Sequence, residues 1–507
     1  MGSGEKNEAS IDLNMQSALP LNGISARSYS FPRNVLNWLL GTGGELRERV
    51  LRSGIWLLVQ SGITRLAGLL KIAILSRLIS PHDFGLLGIA MLVVKWVEYF
   101  TETGIAPGLI QKRGDVRPYL NTAWTAHILR STGVAILLII AAPFGARYFG
   151  HPQATTLIRT LGLMSFIWGF TNPAVIFLRK ELDCRSEAIW RLSGVLAGVA
   201  VAIPAAFLLR NVWALVLSLF AAQVVETATS FWIIRYWPHF EIDWSRLREL
   251  LHFGRWIFWL NVTTFIEMYG DSAFVGKLLG TTALGFYQMA AQLSLMATSQ
   301  LAGHIETVMF PAFTKLDDNK NAERAFLKLL GLISSIALPV GVMVTVYSGP
   351  LVTFLLGARW LPIAPALQVL IWAGVCTALA SATRSFFMAV GQPNLAVRAS
   401  FVKIVCMGLL IYPLLTRAGI AGTALAITIG ALASTGYQFY VVSRFLTPTL
   451  QQYTATFRAG VTACIPLMLL GFTPLRQSKV FFFVTAFGLS AYLIARMLRF
   501  KSQMLSS

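Results

Sequence analysis

The chain has 507 residues, of which 55% are hydrophobic and 13% charged, with a mean hydropathy of +0.64. An average soluble domain carries roughly 25% charged residues, so the composition excludes a soluble enzyme or binding module and indicates a polytopic membrane protein. The net charge of +20 would suit nucleic acid, but the basic residues lie between apolar runs, as in a topology signal, so nucleic acid is not an expected partner.

Residues 1–53 open MGSGEKNEASIDLN, which is polar and lacks the basic stretch and apolar run of a secretory signal. Lys6 stands where a myristoylation pattern needs Ser or Thr. This segment reads as a cytoplasmic tail ending in a short amphipathic helix near ELRERVLRSG, residues 45–54. A bilayer core about 30 Å thick takes roughly 20 helical residues to cross. On that scale spans are predicted at 54–79, 84–107, 119–143, 155–178, 187–208, 212–235, 254–276, 283–310, 326–348, 363–390, 396–416, 419–443, 457–474 and 479–498, with 499–507 as a cytoplasmic tail. Continuous apolar runs of this length do not fit the alternation of a β-barrel. The expected fold class is therefore all-α, a polytopic membrane protein with about 14 transmembrane helices.

Alternate loops differ in charge. One set holds clusters such as Arg47, Arg49 and Arg52, then Lys112, Arg113 and Arg117, then Arg179 and Lys180; the other holds isolated cations such as Arg77, Arg147, Arg210 and Lys277. The split is about 24 to 9, which by the positive-inside rule puts both termini in the cytoplasm. The four cysteines, Cys184, Cys376, Cys406 and Cys464, have no CxxC spacing and read as small apolar filler.

An internal repeat is expected. Residues 54–90 lie without a gap on residues 254–290: Gly54, Trp56, Thr64, Ala73, Leu78, Gly85 and Ala90 meet Gly254, Trp256, Thr264, Ala273, Leu278, Gly285 and Ala290, and Arg77 meets Lys277. A shift of 200 residues passes six helices, an even number, so both copies keep one orientation in the membrane. This predicts two six-helix lobes, 54–235 and 254–443, related by an axis along the membrane normal, with a substrate path between them and two helices at 457–498 outside the repeat.

Charges inside the spans are the candidate site. An ionisable group at mid-bilayer costs about 2.5 to 3.5 kcal/mol, so each should face an aqueous cavity or a partner. Arg65 and Lys71 in the first span, Arg130 in the third and Arg384 in the tenth are candidates for a cationic, substrate-binding wall. Lys95, Glu98 and Glu102 fall at i, i+3 and i+7 on one helix face, and Glu267 and Asp271 at i and i+4 on another; these are candidates for coupling to H⁺ or Na⁺. Glu226 and Glu306 add further acids, and Asp271 takes the repeat position of Lys71. The competing interpretation is a set of internal ion pairs that fix helix register.

Neither a cofactor nor a resident metal is expected. GDSAFVGKL at 270–278 fails the P-loop pattern, because five residues separate its glycines and Leu278 replaces Ser or Thr. The predicted outer loops are short, which counts against a membrane glycosyltransferase or polymerase, and the chain reads as a transporter rather than an enzyme. The acidic EID at 241–243 reads as a solvated loop.

The run LSRLISPHDFGLLGIAMLVVKWVEYFTETGIAPGLIQKR at 75–113 resembles the opening helices of the polysaccharide transporter family, the Wzx-type flippases of the multidrug/oligosaccharidyl-lipid/polysaccharide exporter superfamily. Arg77, Leu78, Pro81, Asp83, Phe84, Gly85, Gly104, Leu109, Ile110 and Gln111 carry the likeness, with FLLGARWLPIAPALQVL at 354–370 and AVGQPN at 389–394. Ile79 departs from the family's usual Leu, and Pro107 from its usual small residue, where a bend is expected. The resemblance covers about 50–500. It implies export of an undecaprenyl-pyrophosphate-linked oligosaccharide across a bacterial inner membrane by alternating access, for exopolysaccharide, capsule, lipopolysaccharide or O-antigen. A polymerase and a chain-length regulator are implied partners, beside membrane lipid. A multidrug cation exporter of the same superfamily and a non-transporting scaffold are the alternatives.

Overall fold

A computed structural model describes residues 46–112, 114–181, 183–313, 319–446 and 449–471, with short pieces between 484 and 496. The chain divides into a unit of residues 1–52, described only from Leu46, and a compact unit of residues 53–507. Among the described residues there is no strand. In chain order the helices are α1 (Leu46–Leu78), α2 (Pro81–Thr101), α3 (Ile105–Gln111), α4 (Leu120–Tyr148), α5 (Ala154–Gly169), α6 (Ile176–Lys180), α7 (Cys184–Leu209) and α8 (Val212–Ile233). They continue with α9 (Trp244–Leu278), α10 (Gly280–Phe313), α11 (Asn319–Val346), α12 (Ser348–Leu355), α13 (Ala364–Ala389), α14 (Asn394–Leu446) and α15 (Leu450–Gly471).

Among the described residues, eight helices are long and apolar enough to cross a membrane, or up to nine if the pair 154–169 and 173–180, bent by 73°, is one span. The protein is therefore a multi-pass, all-helical membrane protein. Its outward surface agrees: Leu66, Phe144, Leu208 and Leu409 are 70%, 68%, 83% and 73% exposed, side chains that belong in hydrocarbon and not in water. The expected spans at 396–416 and 419–443 lie in one stretch, α14, which turns at Ala418 and Gly419, the latter in the left-handed region at φ 56°. Most of the expected span 479–498 lies outside the described residues.

Local sequence sets the helix ends. Ser80 accepts from the Asp83 amide at 3.2 Å and Pro81 fills the first helical turn, so the Ser-Pro pair ends one helix and opens the next. Asp183, Asn211 and Asp243 cap α7, α8 and α9 in the same way. One expectation fails here. The break expected at Pro107 comes earlier: α2 stops at Thr101, Glu102 is extended, and Gly104 at φ 70° starts α3. The acidic triplet at 241–243 is a partly exposed loop, as expected, and it is anchored to the fold: Glu241 accepts from Asn121 at 3.0 Å and its amide donates to Thr125 at 3.0 Å. Hydrogen bonds from Ser245 hold the Asp243 carboxyl below its usual range. Nearby, Glu249 accepts from Lys112 and Tyr119, which lowers its carboxyl likewise.

The largest core joins residues of α2, α4, α5, α10 and α13, with Trp360 and Tyr287 fully buried. At its centre α2 and α10 cross backbone to backbone. A Cβ on Gly85 would lie 1.7 Å from the Thr281 carbonyl oxygen, and a Cβ on Gly285 would lie 2.1 Å from the Pro81 carbonyl oxygen. Small residues permit such an approach where no hydrophobic force drives helices together. One turn along, a Cβ on Gly88 would meet the Gln288 side-chain oxygen at 2.3 Å.

Candidate functional site

The charges of α2 are engaged with their neighbours. Lys95 pairs with Glu98 at 2.7 Å, as the i, i+3 spacing predicts, and the second oxygen of Glu98 accepts from Ser165 of α5 at 2.8 Å. Glu102 does not share that face, because α2 ends one residue before it. It pairs with Arg130 of α4 at 2.8 Å, and Arg130 also donates to the Thr101 and Glu98 carbonyls at 2.9 and 3.1 Å. The arginine side chain is 8% exposed, so its charge is satisfied by the orphan carbonyls and the acid at the end of α2. It also lies 5.8 Å from the Trp168 ring, a cation–π distance. An aromatic group of Tyr99, Phe265 and Tyr269 fills the space between α2 and α9 beside this cluster.

In the second half, Glu267 pairs with Lys403 of α14 at 2.8 Å. Lys403 was missed in the sequence, although a lysine well inside the run 396–416 was a visible signal. Asp271, one turn on, makes no ion pair among the described residues, although Lys403 is close enough to act on it through its charge. It accepts from the Tyr287 hydroxyl at 2.5 Å and from the Ser272 amide at 2.6 Å. Glu226 pairs with Arg191 at 2.7 Å, a residue that reads from the sequence as a loop charge. The Glu306 side chain lies outside the described residues.

The expected cationic wall is not assembled as one cluster. Lys71 reaches the Ser218 hydroxyl of α8 at 3.4 Å and has no carboxylate partner among the described residues. Arg65 is half-buried on the same helix, Arg130 belongs to the α2 cluster, and the Nε of Arg384 is buried on α13 without a hydrogen-bond partner among the described residues. Among the described residues the structure thus separates the ion pairs Lys95–Glu98, Arg130–Glu102, Arg191–Glu226 and Glu267–Lys403 from Lys71, Asp271 and Arg384, which make no direct ion pair. Neutralised pairs hold helix register; an uncancelled ammonium can hold an anion, and a carboxylate facing a hydroxyl can take a cation or proton.

A charge swap tests the Glu267–Lys403 pair. Lys403→Glu alone should cost roughly 3 kcal/mol, because it leaves two carboxylates facing each other in a low-dielectric site, and Glu267→Lys in the same chain should recover most of it. Thermal midpoints in detergent for the singles and the double measure the coupling, and additive losses would mean that the two groups do not pair.

Residues 74–365, more than half of the chain, match the polysaccharide biosynthesis protein family. The chain is 23% identical over 394 residues to the lipopolysaccharide biosynthesis protein WzxC of Escherichia coli (strain K12), covering 76% of this chain and 78% of that one. It is 21% identical over 403 residues to the succinoglycan biosynthesis transport protein ExoT of Rhizobium meliloti (strain 1021), covering 79% and 82%. In fold it is similar to the lipid II flippase MurJ in an inward closed conformation, with a TM-score of 0.72 over 89% of this chain and 98% of that chain at 15% identity. It is also similar in fold to a multidrug resistance MATE family transporter of the MOP superfamily in an inward-facing conformation, with a TM-score of 0.58, 85% and 98% coverage and 15% identity. A multi-pass helical membrane protein with transporter relatives and a flippase-like fold, this chain belongs to the polysaccharide biosynthesis protein family.

Proposed function

We propose that the protein flips an undecaprenyl-pyrophosphate-linked oligosaccharide, or a related polysaccharide intermediate, across the bacterial inner membrane by alternating access, with both termini in the cytoplasm. The observation that carries this reading is Lys71. It keeps an ammonium inside the bilayer with a hydroxyl as its described partner, an arrangement suited to an anionic headgroup that arrives with the cargo. The outer part of α1 supports a lateral path for the lipid tail: a Cβ on Gly62 or Gly68 would meet nothing within 4 Å, and Leu66 beside them is 70% exposed.

Ion coupling is assigned to Asp271, a carboxylate of the second half that makes no direct ion pair among the described residues, with H⁺ or Na⁺ as the ion. Lys71 and Asp271 stand 200 positions apart, so the proposed repeat places the anion-binding group of one lobe opposite the coupling group of the other. A polysaccharide polymerase and a chain-length regulator are the expected pathway partners.

Deleting the gene in its own bacterium should abolish the surface polymer and trap lipid-linked intermediate on the inner leaflet. Complementation by Lys71→Ala should restore export about 10-fold less well than wild type, the size of one charged hydrogen bond to phosphate, while Lys71→Arg restores more. Normal polymer in the deletion strain, with dye efflux reduced instead, would sink this reading in favour of a drug exporter.

A further inference from the structure

Two cations that take no part in the intramembrane clusters join the halves of the chain at one end of the bundle. Arg77, in the last turn of α1, donates to the Phe354 carbonyl of α12 at 2.6 Å. Lys277, in the last turn of α9, donates to the Tyr148 carbonyl at the end of α4 and lies 4.3 Å from the Tyr148 ring. The arrangement is reciprocal. A cation from 54–235 caps a helix of 254–443, and a cation from 254–443 caps a helix of 54–235, so that each satisfies a terminal carbonyl the helix itself leaves open.

The two cations stand 200 positions apart, as do Gly85 and Gly285 at the α2–α10 crossing and Gly88 and Gln288 beside it. A Cβ added on Gly357, at φ 97° just after α12, would lie 3.8 Å from the Cγ of Arg77. Both Arg77 and Lys277 are solvent-exposed, so water can replace either bond. Ser76 reinforces one arm: its hydroxyl donates to the Leu356 carbonyl at 3.3 Å, and its own carbonyl accepts from Trp360 at 2.8 Å.

We propose that Arg77 and Lys277 are the two arms of a latch that holds the extracytoplasmic end of the protein closed, and that both must release before cargo can leave on that side. The inference rests on the transporter reading and on the orientation in which Arg77 and Lys277 fall in the outer loops. The latch is symmetric because each arm is the same helix-end cation in one copy of the repeat. It is labile because each arm is a capping bond at the water-exposed end and not a buried ion pair.

The test is solvent access just below the latch. In a chain with Cys184, Cys376, Cys406 and Cys464 changed to Ala, Gln288→Cys places a thiol at the α2–α10 crossing, to be labelled by a membrane-impermeant maleimide from outside intact cells. Removing one arm by Arg77→Gln or Lys277→Gln should raise the labelling rate about 3-fold and removing both about 10-fold, taking each arm as an ordinary cation at a helix C-terminus. Arg77→Lys, which keeps a donor and a charge, should label at nearly the parent rate. Equal labelling of the parent and the double variant overturns the latch; if the double variant fails to reach the membrane, the two single variants decide by the same readout. Labelling reports opening whatever the cargo is. Faster labelling with normal polymer in the deletion strain would therefore keep the latch and remove the proposed cargo, whereas unchanged labelling with polymer lost would do the reverse.

Discussion

Gly85→Ala should destabilise the protein by roughly 3 kcal/mol or more, the upper end of the overpacking range, and most of the protein should fail to assemble. The added methyl would sit 1.7 Å from the Thr281 carbonyl oxygen, a backbone atom on another helix that no rotamer change can move. Gly285→Ala should behave alike, since its methyl would meet the Pro81 carbonyl oxygen at 2.1 Å. Gly88→Ala is the internal control: the atom it meets is the far end of the Gln288 side chain, which can swing away, so the loss should be about 1 kcal/mol. Gly68→Ala meets nothing within 4 Å and should gain up to about 1 kcal/mol from helix propensity. The order Gly85, Gly88, Gly68 in detergent melting midpoints and in membrane abundance is the check. Equal losses at Gly85 and Gly88 would mean that the helices do not approach as described.

Arg130→Met should lower stability by about 3 to 5 kcal/mol. The substitution strands Glu102 without its cation and removes donors from the Thr101 and Glu98 carbonyls, and uncompensated groups of this kind are the costly outcome of breaking a buried pair. Glu102→Gln added to Arg130→Met should return part of the loss, because it removes the stranded charge but not the unsatisfied carbonyls. A double-mutant cycle read by thermal midpoint separates the two contributions. Loss of export with unchanged stability would instead assign Arg130 to the cargo, as its place in a span first suggests.

Much of the local plan is visible in residues close together in the chain. The Ser80-Pro81 boundary falls between the spans predicted at 54–79 and 84–107, and the Lys95–Glu98 pair lies within one turn, so spacing is enough to find it. The caps at Asp183, Asn211 and Asp243 are as local, but hydropathy marks the apolar run and not the cap, so the predicted spans begin at 187, 212 and 254. The end of α2 was placed too late because hydropathy runs on through Gly104, whose left-handed backbone is set by the following turn.

Composition established the solvent: a chain 55% hydrophobic with 13% charge folds as helices in a bilayer, because lipid leaves the backbone no other way to bond its own amides in continuous apolar runs. Which intramembrane charges cancel was not visible there. Glu267 and Lys403 are 136 residues apart, Arg130 and the carbonyl of Glu98 are 32 apart, and Arg77 meets a carbonyl 277 residues away. Such partners depend on which helices pack side by side and at what height, and helix packing in a membrane is decided by close backbone contact between small residues, not by the pattern along any one helix. Tertiary packing therefore turned a row of candidate charges into four ion pairs among the described residues, leaving Lys71 and Asp271, with Arg384, outside any direct pair.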